Sequence, residues 1–480
     1  RFRWLSETRT SVGAASASHR RSHMAALSTP GWLLALSALA ASTPPEQGQR
    51  WAVIAVGSKG FWNYRHQADG CHAYKLMLQS GIPASNIILM MQDDVANSKS
   101  NPFLGALYNR PGFDTANVYA GCKADYKGDV VTAQLFLDVI TGNESAVNGA
   151  KVLKSGPGDR VFLNFIDHGG PGIVAFPNGP PLHKIQLAAA LKAMKDASMF
   201  RELVFYMEAC ESGSMFEGDV LPDGSSMYAV TAANAKESSW GYYCMPDDHV
   251  MGVDMHTCLG DLFSISWMED SDRGAFAAET VAEQVKLVTR RTNKSHVMQF
   301  GDSSIADEPI GRFELDSNVS AVAELPTLVG SAVDVRDIPK HLTYMKWQAQ
   351  TEVTLKAAAW REHLEVLEAR EADELVFKGI ISEACRSNDA CVQSVGSSKR
   401  AIVDGECHKM LVDTVFDFCP SRRSDHEAGG WNAFNMQFSQ VLVNLCEMKG
   451  ELGRSPLELE GIARARCRGS AGGGLPTLVV

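Results

Sequence analysis

The sequence predicts an α/β protein: a mainly parallel sheet flanked by helices, followed by an all-helical C-terminal region. Three observations carry this. Up to about residue 231, short apolar runs alternate with segments of helical spacing, as parallel strands covered on both faces do. Periodicity is lost over 301–340, which holds Pro309, Pro326, Gly330 and Pro339 and reads as a linker. Beyond it the strand-like runs stop and helical spacing takes over.

Taken in order, the first strand is 51–56, an apolar run ending at Gly57. A helix is expected over 64–79, with Gly81 as its stop signal. Strands follow at 86–91 and 159–166, a helix at 182–198, and strands at 203–207 and 227–231. In the C-terminal part helices are expected over 341–378, 401–418, 431–449 and 457–467. The implied divisions are an α/β domain at 51–300, a linker at 301–340 and a helical part at 341–480. Ahead of them, Met24-Ala-Ala-Leu-Ser precedes an apolar run that ends in small residues, so 24–43 reads as a signal peptide; residues 1–23 are an upstream segment given no role.

A chain of 480 residues can bury two or three cores, and with 45% hydrophobic and 21% charged residues it is neither disordered nor fibrous. A net charge of −11 supplies no basic field for nucleic acid. No apolar run approaches the ~20 residues a membrane span needs, so no span is expected in the mature protein. Asn143, Asn293 and Asn318 each begin an Asn-X-Ser sequon, which fits secretion and makes them glycosylation candidates. Eleven cysteines, an odd number, leave at least one thiol over. Their spacing forms no paired Cys-x-x-Cys set, so no metal and no cofactor are expected.

Two segments carry chemistry: Phe165-Ile-Asp167-His168-Gly169-Gly170 after one apolar strand and Tyr206-Met-Glu208-Ala209-Cys210-Glu211 after the next. If these strands are neighbours, His168 and Cys210 sit side by side on the sheet rim. An imidazole can generate the thiolate that acts as nucleophile, and backbone N–H groups at Gly169 and Cys210 can hold the oxyanion of acyl transfer. A single strand-end Cys or His-Gly-Gly is usually structural; the joint occurrence in consecutive units is what points to a dyad.

Residues from about 51 to 300 resemble the catalytic domain of the legumain (asparaginyl endopeptidase, vacuolar processing enzyme) family. The resemblance rests on Ala55-Val-Gly-Ser-Lys-Gly-Phe-Trp-Asn-Tyr-Arg-His-Gln-Ala68, Phe165-Ile-Asp-His-Gly169, Tyr206-Met-Glu-Ala-Cys-Glu-Ser-Gly-Ser-Met215, Cys258-Leu-Gly-Asp261, Trp267-Met-Glu-Asp-Ser-Asp272 and Ser295-His-Val-Met-Gln299. It implies a caspase-like fold and cleavage of protein or peptide substrates after Asn, with Asp accepted at lower pH. It also implies that Cys210 is the nucleophile, His168 the general base and acid, and Asn63 the residue orienting the histidine. Arg65, Glu208 and Asp261 match the primary (S1) pocket, and the chemistry is apt: an amide offers one acceptor and two donors, which a guanidinium and carboxylates can serve. Ser238, Ser239 and Trp240 match the cleft lining, and Asp167 an aspartate able to form succinimide.

The resemblance further favours disulfides Cys244–Cys258, Cys407–Cys446 and Cys419–Cys467. Cys385 and Cys391 are expected to pair locally, leaving Cys71, Cys122 and Cys210 as thiols. The C-terminal prodomain is expected to cap the active site as an intramolecular inhibitor. Acid would loosen it and self-cleavage at Asn318, Asp334 or Asp337 would release it. A zymogen homodimer and a vacuolar, lysosomal or extracellular destination are also compatible with the family. One departure is Gly170, where the family often has Ser. Two rival functions use the same chain differently: transpeptidation, in which an amine rather than water takes the acyl group, and a catalytically dead binding scaffold.

Overall fold

The computed structural model describes residues 48–273, 279–313, 330–420 and 429–470. The expected signal peptide, the upstream segment and Asn318 lie outside the described residues. In chain order the strands that matter are β1 (Arg50–Val56), β2 (Ile87–Met91), β3 (Tyr126–Lys127), β4 (Arg160–Ile166), β5 (Glu202–Glu208), β6 (Met227–Thr231), β7 (Trp240–Cys244), β8 (Gly260–Asp261), β9 (Met298–Gly301) and β10 (Ser331–Asp334). The main sheet has the order β9-β6-β5-β4-β1-β2-β3 and is parallel except for β9, which runs antiparallel to β6. A smaller antiparallel sheet, β8-β7-β10, stands beside it.

β1, β4 and β5 are buried at every position but the first, which is why they read as continuous apolar runs rather than alternating ones. Their side chains still divide by pleat. Ala52, Ile54 and Val56 face a core shared with α1 (Tyr64–Gln79), α4 (Leu262–Ser271) and α5 (Val281–Arg291). Trp51, Val53 and Ala55 face a second core built with α2 (Ala133–Ile140) and α3 (Lys184–Asp196). Parallel pairing of neighbours then brings the carboxyl ends of β1, β4 and β5 to one rim, where function gathers in such sheets.

The C-terminal part forms α6 (Ile338–Ala349), α7 (Val353–Ala384), α8 (Asp389–Ser397), α9 (Gly405–Phe418), α10 (Ser439–Glu447), α11 (Lys449–Leu452) and α12 (Pro456–Ser470). Phe377, Ile380, Leu411, Val415, Leu442 and Ala463 build its core, and Ile173 and Ala175 of the α/β part belong to the same cluster. The two parts therefore share buried apolar surface.

Some elements differ from expectation. The single helix expected over 341–378 is two, α6 and α7. α6 ends at Ala349, where Gln350 turns extended, and Glu352 starts α7, its carboxylate accepting from the Thr354 and Leu355 N–H groups as an N-cap. The stretch 301–340 is irregular only in part: 331–334 is a strand and α6 already begins at Ile338.

The cysteines require one correction. Cys244–Cys258, Cys385–Cys391, Cys407–Cys446 and Cys419–Cys467 are bonded as expected, but Cys71 and Cys122 are also bonded to each other. Cys71 lies on the buried face of α1, and the loop carrying Cys122 folds back over that face. A separation of 51 residues hid the pairing from local spacing. All eleven cysteines fall among the described residues, and Cys210 alone is free.

Candidate active site

β4 and β5 are in register with Ile166 opposite Glu208, so His168 and Cys210 each stand two residues beyond the last pair, at the same level of the rim. Gly169 packs against the Cys210 main chain so closely that a Cβ there would lie 2.3 Å from the Cys210 carbonyl oxygen. A side chain at 169 is thus excluded by the backbone of the cysteine itself. The turn after Cys210 is held tightly: Glu211 adopts a left-handed φ of 47°, unusual for a non-glycine residue, and donates its N–H to Glu237 O at 2.8 Å.

Asn63 ends the short turn that opens α1. Its Nδ2 donates to Lys59 O at 2.9 Å, which leaves Oδ1 to accept. That oxygen lies 2.8 Å from His168 Nε2. The proton of a neutral imidazole is therefore on Nε2, and the lone pair is on Nδ1. Cys210 Sγ accepts from the Ser239 N–H at 3.3 Å and lies 3.7 Å from Ser239 Oγ.

Near His168 and Cys210 is a pocket of buried charge. Arg65 Nε donates to Asp261 Oδ1 at 2.8 Å and Nη1 to Trp62 O at 3.3 Å, while Nη2 is buried without a hydrogen-bond partner. Glu208 Oε2 accepts from both the N–H and the hydroxyl of Ser264, at 3.0 and 3.1 Å, while Oε1 has no partner. Asp261 Oδ2 accepts no hydrogen bond and faces His66 Nε2 at 3.4 Å. Burial raises Glu208 well above the ordinary carboxylate range, with Asp261 adding to it. Asp261 is raised by burial too, but Arg65 opposes the shift. Asp167 is fully buried beside His66, Oδ1 to Nδ1 3.1 Å, and burial raises it strongly.

The segment 331–337 runs through the cleft. β10 pairs antiparallel with β7, Asp334 opposite Trp240, and the Val335 N–H donates to Ser239 O at 3.1 Å. Arg336 turns inward, pairing with Glu211 and donating to Ser238 Oγ at 2.5 Å. Burial pushes Glu211 up to about 7, against the pull of Arg336. The Cys210 thiol is pushed up to about 12 by burial, with Arg336 opposing and Glu211 and Asp334 adding to the rise. In this state the thiol is protonated. Arg370 on α7 anchors the segment by donating to Arg336 O and to Asp337 Oδ1, the latter at 2.7 Å. Ser439 donates to Pro171 O at 2.8 Å, and Met436 lies against Gly170.

All the residues singled out from the sequence for catalysis and the pocket converge here. Of the glycosylation candidates, Asn143 and Asn293 are exposed. Sequence reasoning missed His66, Ser264, Glu211 and Arg336. Glu211 and His66 adjoin residues it had chosen, which was a usable signal; Arg336, 126 positions from Cys210, gave none. His66, Asp167 and His168 each bring one potential ligand atom within 4.8 Å of the others. Ser58 and Asn63 hydrogen-bond the two imidazoles, Ser58 Oγ to His66 Nδ1 at 2.6 Å and Asn63 Oδ1 to His168 Nε2 at 2.8 Å.

The model of the Peptidase C13 family matches residues 50–330, more than half of the chain. The chain belongs to this family. A vacuolar-processing enzyme of Vicia sativa is 37% identical over 419 residues, covering 83% of this chain and 83% of that protein. Legumain of Homo sapiens is 37% identical over 434 residues, covering 89% and 96%. A crystal structure of caspase-1 from Spodoptera frugiperda overlaps with a TM-score of 0.31 at 9% identity, over 53% of this chain and 87% of that one. As a peptidase C13 member with this fold, the chain is a cysteine-type endopeptidase.

Proposed function

We propose that this C13 peptidase cleaves after Asn through an acyl-enzyme on Cys210 and is made as a self-capped zymogen. The observation that carries the specificity is the set of unpartnered buried atoms in the pocket. Arg65 Nη2 is a donor, and Glu208 Oε1 and Asp261 Oδ2 are acceptors. A carboxamide has one acceptor oxygen and two N–H donors, so it completes all three. Unmet polar groups in a buried site make an enzyme reject side chains that cannot pair with them.

With the cap gone, His168 Nδ1 takes the proton of Cys210 Sγ as the thiolate attacks the scissile carbonyl carbon. Asn63 holds the ring through Nε2 and stabilises the imidazolium that forms. N–H groups at Gly169 and Cys210 receive the oxyanion. The C–N bond breaks as His168 returns the proton to the leaving amine, giving a thioester. Water then attacks, His168 takes its proton, and the Asn carboxylate leaves as Cys210 recovers its hydrogen.

The 331–337 segment is the inhibitor. It lies in the cleft as an extra strand, and its Arg336 occupies the mouth beside Cys210. While Glu211 stays buried after the segment leaves, loss of Arg336 raises its pKa further, so the capped state favours ionised Glu211 more than the uncapped state does. On that premise the latch holds above about pH 7 and weakens as pH falls through that value. Acid activation suits a vacuolar or lysosomal destination, and a vacuole stands in the name of the relative from Vicia sativa.

The test holds the recombinant full chain and its Cys210→Ala variant at mildly acidic pH, then offers matched peptides with Asn, Asp, Gln or Ala before the scissile bond. Wild type should lose its C-terminal part and cut after Asn; the variant should do neither. If tail removal by another protease leaves wild type unable to cut Asn peptides, the peptidase assignment is wrong and the scaffold function replaces it.

A further inference from the structure

One helical turn beyond Arg65 on α1, Asp69 is fully buried and has no role in the scheme above. Its Oδ1 accepts from Asn109 Nδ2 at 2.6 Å and its Oδ2 from the Asp261 backbone N–H at 3.0 Å. Asn109 spends its other amide hydrogen on Leu259 O at 2.9 Å, so its Oδ1 must accept from His72 Nδ1, 2.8 Å away. His72 Nε2 in turn faces Asp272 Oδ2 at 3.2 Å. The chain of contacts Asp261–Asp69–Asn109–His72–Asp272 thus runs from the pocket to a second cavity of about 300 Å³, lined also by Lys75, Arg110 and Glu269.

The charges around Asp69 do not balance. Asp261 and Glu208 face it from the strands, and Arg65 is the cation of its own helix nearest the pocket. His66, also on α1, is held neutral by burial, with Arg65 and His168 adding to the effect. His72, Asp272 and Glu269 lie at the outer end. Asp69 therefore adds to a group of buried carboxylates, Asp167, Glu208 and Asp261, that already share one guanidinium at the site that receives the substrate side chain. An Asn side chain adds no charge to this set; an ionised Asp would add one more carboxylate.

We propose that Asp69 is a specificity-determining positioning residue: it pins the main chain of Asp261 and carries a proton whose loss closes the pocket to an ionised Asp side chain. The inference rests on the pocket assignment made under Proposed function. Burial, with Asp261 beside it, holds the Asp69 carboxyl well above the ordinary carboxylate range. Its proton is therefore lost in a higher pH window than that of an exposed carboxyl. Acceptance of Asp should follow that proton, while acceptance of Asn should not.

The experiment compares acid-matured wild type and Asp69→Asn on paired Asn and Asp peptides from about pH 4.5 to about pH 7. The readout is the Asp-to-Asn ratio of kcat/KM within each sample, which is independent of the fraction folded or matured. The wild-type ratio should fall steeply with rising pH. In Asp69→Asn it should fall less and end about tenfold above wild type near pH 6.5, one pKa unit's worth of discrimination. An amide at 69 turns an N–H toward either Asn109 or Asp261, so Asp69→Asn/Asn109→Asp restores a matched pair. Its ratio should lie between those of wild type and the single variant. A common loss on both peptides, or ratios within twofold of wild type at every pH, overturns the proposal and leaves Asp69 a purely structural group. Failure of wild type to cut Asn peptides overturns the pocket assignment instead, so the two failures are distinguishable.

Discussion

Replacing Arg336 with Ala tests the cap at its most buried point. The guanidinium is 11% exposed and its partner Glu211 2%, so removing the cation strands a buried carboxylate. Breaking such a pair from one side costs about 3–5 kcal/mol when the remaining charge must stay. Here it need not stay. Glu211 titrates at about 7 even with Arg336 present, so without it the group takes up a proton and escapes most of that penalty. What remains is the lost pairing and the bond to Ser238, about 2–3 kcal/mol, or roughly 30- to 150-fold in the cap-opening equilibrium. Cys210 is the one free thiol and is 1% exposed beneath the cap, so its alkylation in the native zymogen at about pH 7.5 reports opening. Arg336 also lowers the Cys210 pKa, so its removal makes the thiol intrinsically less reactive. Arg336→Met, which keeps most of the side-chain volume without the charge, should label faster as well and separates opening from the hole that Ala leaves. A labelling rate within twofold of wild type would refute the latch.

The other predictions follow from single contacts. Asn63→Ala should lower kcat on Asn peptides about 100-fold with little change in KM, because the lost hydrogen bond orients His168 and does not touch substrate. Arg65→Lys should cut kcat/KM for Asn substrates at least 100-fold, since Lys cannot serve Asp261 and the substrate oxygen together as the fork does; peptide kinetics on the matured enzyme decide it. Glu211→Gln should mature at near-neutral pH and lose the rise in maturation rate as pH falls through about 7, seen as loss of the C-terminal part on gels. Cys71→Ser/Cys122→Ser should lose stability of about 4 kcal/mol on chain-entropy grounds, read as a lower denaturation midpoint with the fold retained.

Much of this protein was legible in its sequence because the signals were local. A strand buried on both faces must be apolar throughout, so β1, β4 and β5 declared themselves. The turns that end β4 and β5 carry their chemistry within a few residues of the strand. Parallel pairing of consecutive units needed no further information to set His168 beside Cys210. Long-range pairing was not legible. Cys71 and Cys122 sit in segments of unrelated pattern, and only packing of a loop over α1 joins them. Asp69 looked like one more polar residue on a helix until Asn109 and the Asp261 backbone closed around it. The break between α6 and α7, with Gln350 extended and Glu352 capping the start of α7, was not singled out by charge pattern alone.

The sequence by itself determined the layered α/β core from periodicity and singled out His168 and Cys210 from two short motifs at strand ends, while Arg65, Glu208 and Asp261 came into view only through the resemblance to a family. Only the tertiary structure decided that Arg336 pairs with Glu211 next to Cys210, that the helical region shares a core with the sheet domain, and that several carboxylates are buried around one arginine. The physical reason is that burial and ion pairing are properties of what surrounds a group. A carboxylate's neighbours in space, unlike its neighbours in the chain, exist only once the fold has formed.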